Sequence, residues 1–172
     1  MGVNLRRELP RKLFHLSGLA LHPLVLWLEA WQEIFWVIIL VSITTVEVLR
    51  ISGRFSILNR LFGRLMRSGE ERRFSGAFYY FWGVGLAFLM FPLEAALVGL
   101  WVLAVGDAVA GLLIRGRSVV LFLCGLAILL VFGYPLDPLN ILKVLSWTLV
   151  ERLPRVNDNF TLPLVVALTL SW

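Results

Sequence analysis

One cysteine, two histidines and few charges are the scarcities that define this 172-residue chain. Cys124 has no second thiol for a disulfide, and no cysteine or histidine beside it for zinc, so it reads as packing. Charged residues make up only 16% of the chain, whereas soluble domains carry roughly a quarter. Hydrophobic residues reach 59%, and mean hydropathy is +0.86. This balance excludes an ordinary soluble domain and predicts one integral membrane domain over residues 1–172. No small-residue cleavage site follows the first apolar run, which is therefore expected to stay as a helix and not to act as a removable signal. No repeat relates the two halves, which disfavours a transporter built on internal symmetry.

What the chain does have is a succession of apolar runs. They cover Leu13–Leu28, Ile34–Leu49, Phe74–Phe91, Leu93–Ile114 and Val119–Phe132, followed by the shorter Leu139–Val150 and Phe160–Trp172. Between the second and third lies a basic stretch holding Arg50, Arg54, Arg60, Arg64, Arg67, Arg72 and Arg73. Its residues Phe55, Leu58, Leu61, Phe62 and Leu65 recur at helical spacing, as in a helix lying along a membrane surface. The expected fold is all-α: a polytopic bundle of about six to seven membrane helices plus that interfacial helix. Lysine and arginine collect in the N-terminus, the Arg50–Arg73 stretch, the Arg115/Arg117 turn and the Arg152–Arg155 loop. The turns at Glu29–Glu33, Pro92–Glu94 and Tyr134–Pro138 have none. Such asymmetry predicts a multi-pass protein whose N-terminus faces the cytosol.

Asp107 sits inside the fourth run, where ~20 apolar residues would suffice to cross a bilayer. A carboxylate there costs at least ~2.5–3.5 kcal/mol by insertion scales and usually faces a polar interior with work to do. Gly106, Ala108, Ala110 and Gly111 around it permit close approach of a backbone or ligand. The plainer alternative is a simple pair with Arg115 or Arg117 at the helix end. Other polar motifs fall on the same inner side: Arg11-Lys12-x-x-His15, Glu47-x-x-Arg50 and Glu151 followed by Asp158-Asn159. Each has a structural explanation of its own. Arg11, Lys12 and the arginine stretch serve as inside-positive anchors, His15 as an interface hydrogen-bonder, and Asp158-Asn159 as a helix N-cap. Their gathering on one face favours a shared site. Asp107, Glu151 and Asp158 have the donor chemistry for magnesium, which is typically held by one or two carboxylates plus substrate phosphates. Arg11, Lys12, His15, Arg50, Gly106, Arg115, Arg117, Ser118 and Asn159 are the candidates for nucleotide and phosphate contact.

Taken together, Arg11–His15, the Glu47/Arg50 pair, Arg73-Phe74-Ser75-Gly76-Ala77-Phe78-Tyr79-Tyr80, Gly106-Asp107-Ala108-Val109-Ala110 and Glu151…Asp158-Asn159-Phe160-Thr161-Leu162-Pro163 resemble the polyprenol/diacylglycerol kinase family. That family includes dolichol kinase, phytol kinase and the CTP-dependent diacylglycerol kinase, and shares a pattern with phosphatidate cytidylyltransferases. The resemblance implies a membrane enzyme that moves phosphate from CTP or ATP to a lipid hydroxyl with magnesium. CDP-lipid synthesis and a non-catalytic lipid-binding relative stay open. The chain departs from the family where a Lys-Ser-x-Glu-Gly-type segment usually follows the aspartate. Here only Arg115-Gly116-Arg117-Ser118 separates two apolar runs, and Arg115, Arg117 and Ser118 would have to bind phosphate in its place. For topology, single cysteines in a Cys124→Ser background are expected to be shielded from an impermeant label at Arg60, Ser118 and Arg155 in sealed cells. At Gln32 and Asp137 they should be labelled, and labelling of Gln32→Cys only after permeabilisation overturns the arrangement.

Overall fold

The computed structural model describes residues 5–53, 72–112, 116–153 and 157–172. Most of the expected interfacial segment, including Arg60, lies outside the described residues, as do Arg115, Pro154 and Arg155. Every regular element among the described residues is helical, as the sequence predicts. In chain order these are α1 (Leu5–Ser17), α2 (Leu21–Leu28), α3 (Gln32–Ile51), α4 (Gly76–Met90), α5 (Leu93–Trp101), α6 (Ala108–Leu112), α7 (Arg117–Val131), α8 (Pro138–Glu151) and α9 (Asp158–Leu170). Single 3₁₀ turns at Gly18–Ala20 and Glu29–Trp31 join the first three. A π-helical turn, Val102–Asp107, joins α5 to α6. Two helical stretches are long and apolar enough to cross a membrane, Leu9–Ile51 and Leu93–Gly111.

Local chemistry sets the boundaries. Ser75 caps α4 by accepting from the Phe78 amide at 3.2 Å. That helix stops at Phe91, whose extended backbone is what a residue before proline prefers. Asp137 caps α8 by accepting from the Asn140 amide at 2.7 Å, and Pro138 fills the first turn, where an amide would be unpaired anyway. At Glu29 φ is +41°, the sole positive value at a non-glycine among the described residues, and it interrupts the helical path between α2 and α3.

The centre of the bundle is α5 with the π turn. Ala96, Val98, Leu100, Val102, Leu103 and Ala104 are all fully buried there. By contrast α3 is covered mainly by α4 and leaves Ile34, Val37, Ile38 and Val41 exposed along its length. Its C-terminal end is pinned by a buried pair. Arg50 donates to both Glu47 oxygens at 2.9 and 2.8 Å and to the Arg73 carbonyl, and the Ser75 amide donates to Glu47. Helix α1 lies against α6 and the π turn, and α7 lies between the π turn and α8.

Helix α9 packs most heavily against α4 and α5. Two glycines make this possible. A Cβ on Gly83 would lie 2.6 Å from the carbonyl oxygens of Asn159 and Phe160, and one on Gly99 would lie 2.7 Å from that of Pro163. Backbone meets helix surface with nothing between, the small-residue contact that apolar helices use when water cannot drive them together. Gly99→Ala is therefore expected to destabilise the fold by about 1–3 kcal/mol, as overpacking does. Thermal unfolding in detergent reads this, and an unchanged midpoint would contradict the contact.

Candidate functional site

Lys12 and His15 are three residues apart on α1, and both are buried on the side that meets α6 and the π turn. A Cβ on Gly111 would fall 2.3 Å from Lys12 Cε and Nζ, so glycine at this position is what admits the lysine. Its ammonium donates to Asp107 Oδ2 at 2.8 Å and to the Asp107 carbonyl at 3.0 Å. His15 Nδ1 lies 3.1 Å from the same Oδ2. Behind it, Tyr80 reaches the His15 carbonyl at 3.5 Å, and its hydroxyl fills the space a side chain on Gly18 would need. Asp107 ends the π turn. Such turns carry one residue more than an α turn and recur at functional sites.

The other oxygen of Asp107 faces Arg117, the first residue of α7. The guanidinium donates to Asp107 Oδ1 at 2.7 Å and to Asp158 Oδ2 at 3.2 Å, and its Nε pairs with Glu151. Gly116, with φ at +81°, supplies the left-handed turn that brings α7 in at this angle. One guanidinium thus gathers three carboxylates from three separate elements. The cluster has a closed end and an open end: Asp107 is 1% exposed, Asp158 16% and Arg117 37%. Two basic side chains, Lys12 and Arg117, face three carboxylates. At the open end Glu151 lies one residue beyond the apolar stretch of α8. Burial, with the charges of Asp107 and Asp158, holds its carboxyl above the usual range although Arg117 pulls the other way.

Asp107, Glu151 and Asp158, expected as catalytic and metal-binding carboxylates, are brought together. Lys12, His15 and Arg117 join them. Ser118 adjoins the cluster and accepts from Arg152 at 2.7 Å. The alternative for Asp107, a pair with a helix-end arginine, is also real, and that arginine belongs to the cluster. Other candidates are engaged elsewhere. Arg50 is the clamp on Glu47, Gly106 provides room for Leu121 of α7, and the Asn159 amide donates to the Gly76 carbonyl at 3.2 Å. Arg11 is half-buried on α1, and Arg115 lies outside the described residues. The expected cap of α9 is corrected: Asn157 holds the N-cap position and accepts from the Asn159 amide at 3.1 Å. Asp158 becomes the first helical residue and is left able to meet Arg117. The run Asn157-Asp158-Asn159 offered three capping residues, and only tertiary contact decides among them.

No three His, Cys, Asp or Glu side chains among the described residues are disposed to hold a metal ion together. The reason is visible: the guanidinium stands between the carboxylates. Their oxygens are of the hard kind that magnesium takes, but with Arg117 bound to all three the described residues do not form a site for that ion as arranged. Compared with known proteins, the chain matches no family model, no curated protein and no solved structure.

The buried pair generates a stability test. Removing one partner of a buried ion pair strands the other charge, which costs about 3–5 kcal/mol. Asp107→Asn is expected to lose about that much in a reversible unfolding assay in mixed micelles, because it leaves the Lys12 ammonium unpaired. Adding Lys12→Met should restore part of the loss. Strictly additive losses would show that the two side chains are not coupled.

Proposed function

We propose that this chain is a multi-pass membrane lipid kinase that transfers the γ-phosphoryl group of CTP or ATP to a lipid hydroxyl with magnesium. The observation that carries the proposal is the convergence of Lys12, His15, Asp107, Arg117, Glu151 and Asp158, four separate parts of the sequence, on one partly open cluster. In a membrane arrangement of about six to seven helices with the N-terminus inside, all six lie toward the cytosolic side, Asp107 the deepest of them. That is where a water-soluble nucleotide meets a lipid headgroup. The shorter apolar helices Gly76–Met90, Arg117–Val131 and Asp158–Leu170 support additional crossings beside the two long stretches.

In this mechanism Lys12 holds the Asp107 carboxylate from behind, with His15 Nδ1 beside the same oxygen, leaving Oδ1 to face the open end. Arg117, with a planar set of donors, suits phosphoryl oxygens. Glu151, at the open end of the cluster, is the carboxylate we assign to take the proton of the lipid hydroxyl. The hydroxyl oxygen bonds to the γ-phosphorus, the bond from that phosphorus to the bridging oxygen breaks, and nucleoside diphosphate leaves. Magnesium would neutralise phosphoryl charge. Asn157 and the dipole of α9 leave a helix N-terminus facing the same region, which further favours anions.

The test uses purified full chain with magnesium, mixed lipid alcohols and phosphatidate. Label from γ-³²P nucleotide appearing in lipid is the expected result. Label from the α-position would instead assign CDP-lipid synthesis, and neither would leave a lipid-binding role. Asp158→Ser sharpens the outcome, because Asn157 holds the N-cap position and a serine oxygen can still accept from the Asn159 backbone amide as Asp158 does at 3.0 Å. The variant is expected to keep its unfolding free energy within about 1 kcal/mol of wild type while losing transfer by at least about a hundredfold.

A further inference from the structure

The helices stop too soon for a bilayer of ordinary depth. Helices α4, α7, α8 and α9 have 15, 15, 14 and 13 residues, which makes them about 20–23 Å long. Helix α3 is longer, at 20 residues, but its exposed apolar stripe runs only from Ile34 to Val48. Glu33 and Arg50 bound that stripe, which covers about 21 Å. From Leu93, the start of α5, to Asp107 is again about 21 Å. The hydrocarbon of a typical bilayer is about 30 Å deep, and any tilt shortens a helix further along the membrane normal.

Side chains mark both rims of this short belt. At one end Arg50 and Glu47 reach Arg73 and Ser75, and Asn159 reaches Gly76 beside them. The C-terminus of α3 and the starts of α4 and α9 therefore lie together, next to the ionic cluster that Asp158 joins. At the opposite end stand Trp27, Trp31 and Trp172, exposed by 80%, 67% and 94%. Tryptophan is enriched at the edge of the hydrocarbon. Lys143 is an independent marker. It is half-buried in α8, beside the exposed Leu139, Leu142, Leu145 and Leu149, and about 9 Å from the Asp137 cap. A lysine that near a rim can snorkel to headgroup level, whereas one sunk several ångströms deeper could not.

We infer that the exposed apolar faces of α3, α7 and α8 form a lipid-selective surface, fitted to phospholipid with short acyl chains and a hydrocarbon about 20–23 Å deep. On α7 the exposed residues Val119, Leu123, Leu130 and Val131 span that helix, and on α8 the leucines do the same. Longer chains must compress against these faces or bury the charged rims, and either costs free energy for each ångström of mismatch. At matched depth the open end of the ionic cluster meets the membrane–water interface. In a bilayer of ordinary depth it lies beneath that interface. The inference needs the membrane placement of the proposed function and none of its chemistry.

Lipid competition tests the surface without nucleotide or turnover. The full chain is reconstituted into monounsaturated phosphatidylcholine with acyl chains of fourteen, eighteen or twenty-two carbons. Relative affinity is read from quenching of tryptophan fluorescence by brominated phosphatidylcholine mixed with each. Affinity is expected to be highest for the shortest chain, at least about threefold above the longest. Lys143→Met frees α8 from keeping an ammonium near a rim, so it should narrow that ratio by raising affinity for the longest chain. A peak at eighteen carbons or more, in protein of wild-type helix content, overturns the inference while leaving the kinase assignment standing. An unchanged ratio in Lys143→Met overturns the depth assigned to α8. Failure to incorporate into any of the three lipids overturns the membrane placement itself.

Discussion

The bundle depends on one buried ion pair. Lys12 and Asp107 sit in an interior where each isolated charge would carry a desolvation penalty of several kcal/mol. The pair is tolerable because its surroundings are arranged for it. Gly111 yields the space for the lysine stem, the Asp107 carbonyl takes a second ammonium proton, and Tyr80 closes the pocket behind His15. The contact joins α1 to the central α5–π–α6 segment, elements 95 residues apart in sequence. Hydrophobic packing alone could not choose that register so sharply, because apolar helices slide over one another at little cost, whereas a misplaced charge does not.

A second buried pair, Glu47 with Arg50, shows what the first is not. Both Glu47 oxygens are used by Arg50, and the Ser75 amide adds a further donor. Arg50 spends its remaining reach on the Arg73 carbonyl. It is a closed joint between α3 and the start of α4. Asp107 differs in that its second oxygen is turned toward a half-exposed guanidinium shared with two more acids. One pair is structural throughout, while the other is structural on one side and available on the other.

Much of this was legible in the residues. The apolar runs and their proline and glycine boundaries predicted the helices to within a few positions, since Phe91-Pro92 and Asp137-Pro138 have few local alternatives. Asp107 announced itself by being charged in an apolar run. The roles of other polar residues were not legible, because helical periodicity says which residues share a face and not what that face meets. Thus the motif Arg11-Lys12-x-x-His15 did not say which of its side chains meet Asp107, and it is Lys12 and His15 that do. Asn159 and Arg50 had the right chemistry for phosphate and turned out to be engaged with Gly76, Glu47 and Arg73. The central place of Arg117 required knowing that Glu151 and Asp158 arrive from different helices at the same point.

The two glycines under α9 have a consequence for biosynthesis. Chains emerge from the ribosome N-terminus first, so α4 and α5 are present, with Gly83 and Gly99 still uncovered, before α9 exists to lie on them. Until it docks, Asp158 is absent from the cluster and two of the three acids wait with Arg117 and Lys12. Closure of a seam between backbone and bare glycine is the step that brings Asp158 to Arg117, so assembly of the cluster and docking of α9 are a single event.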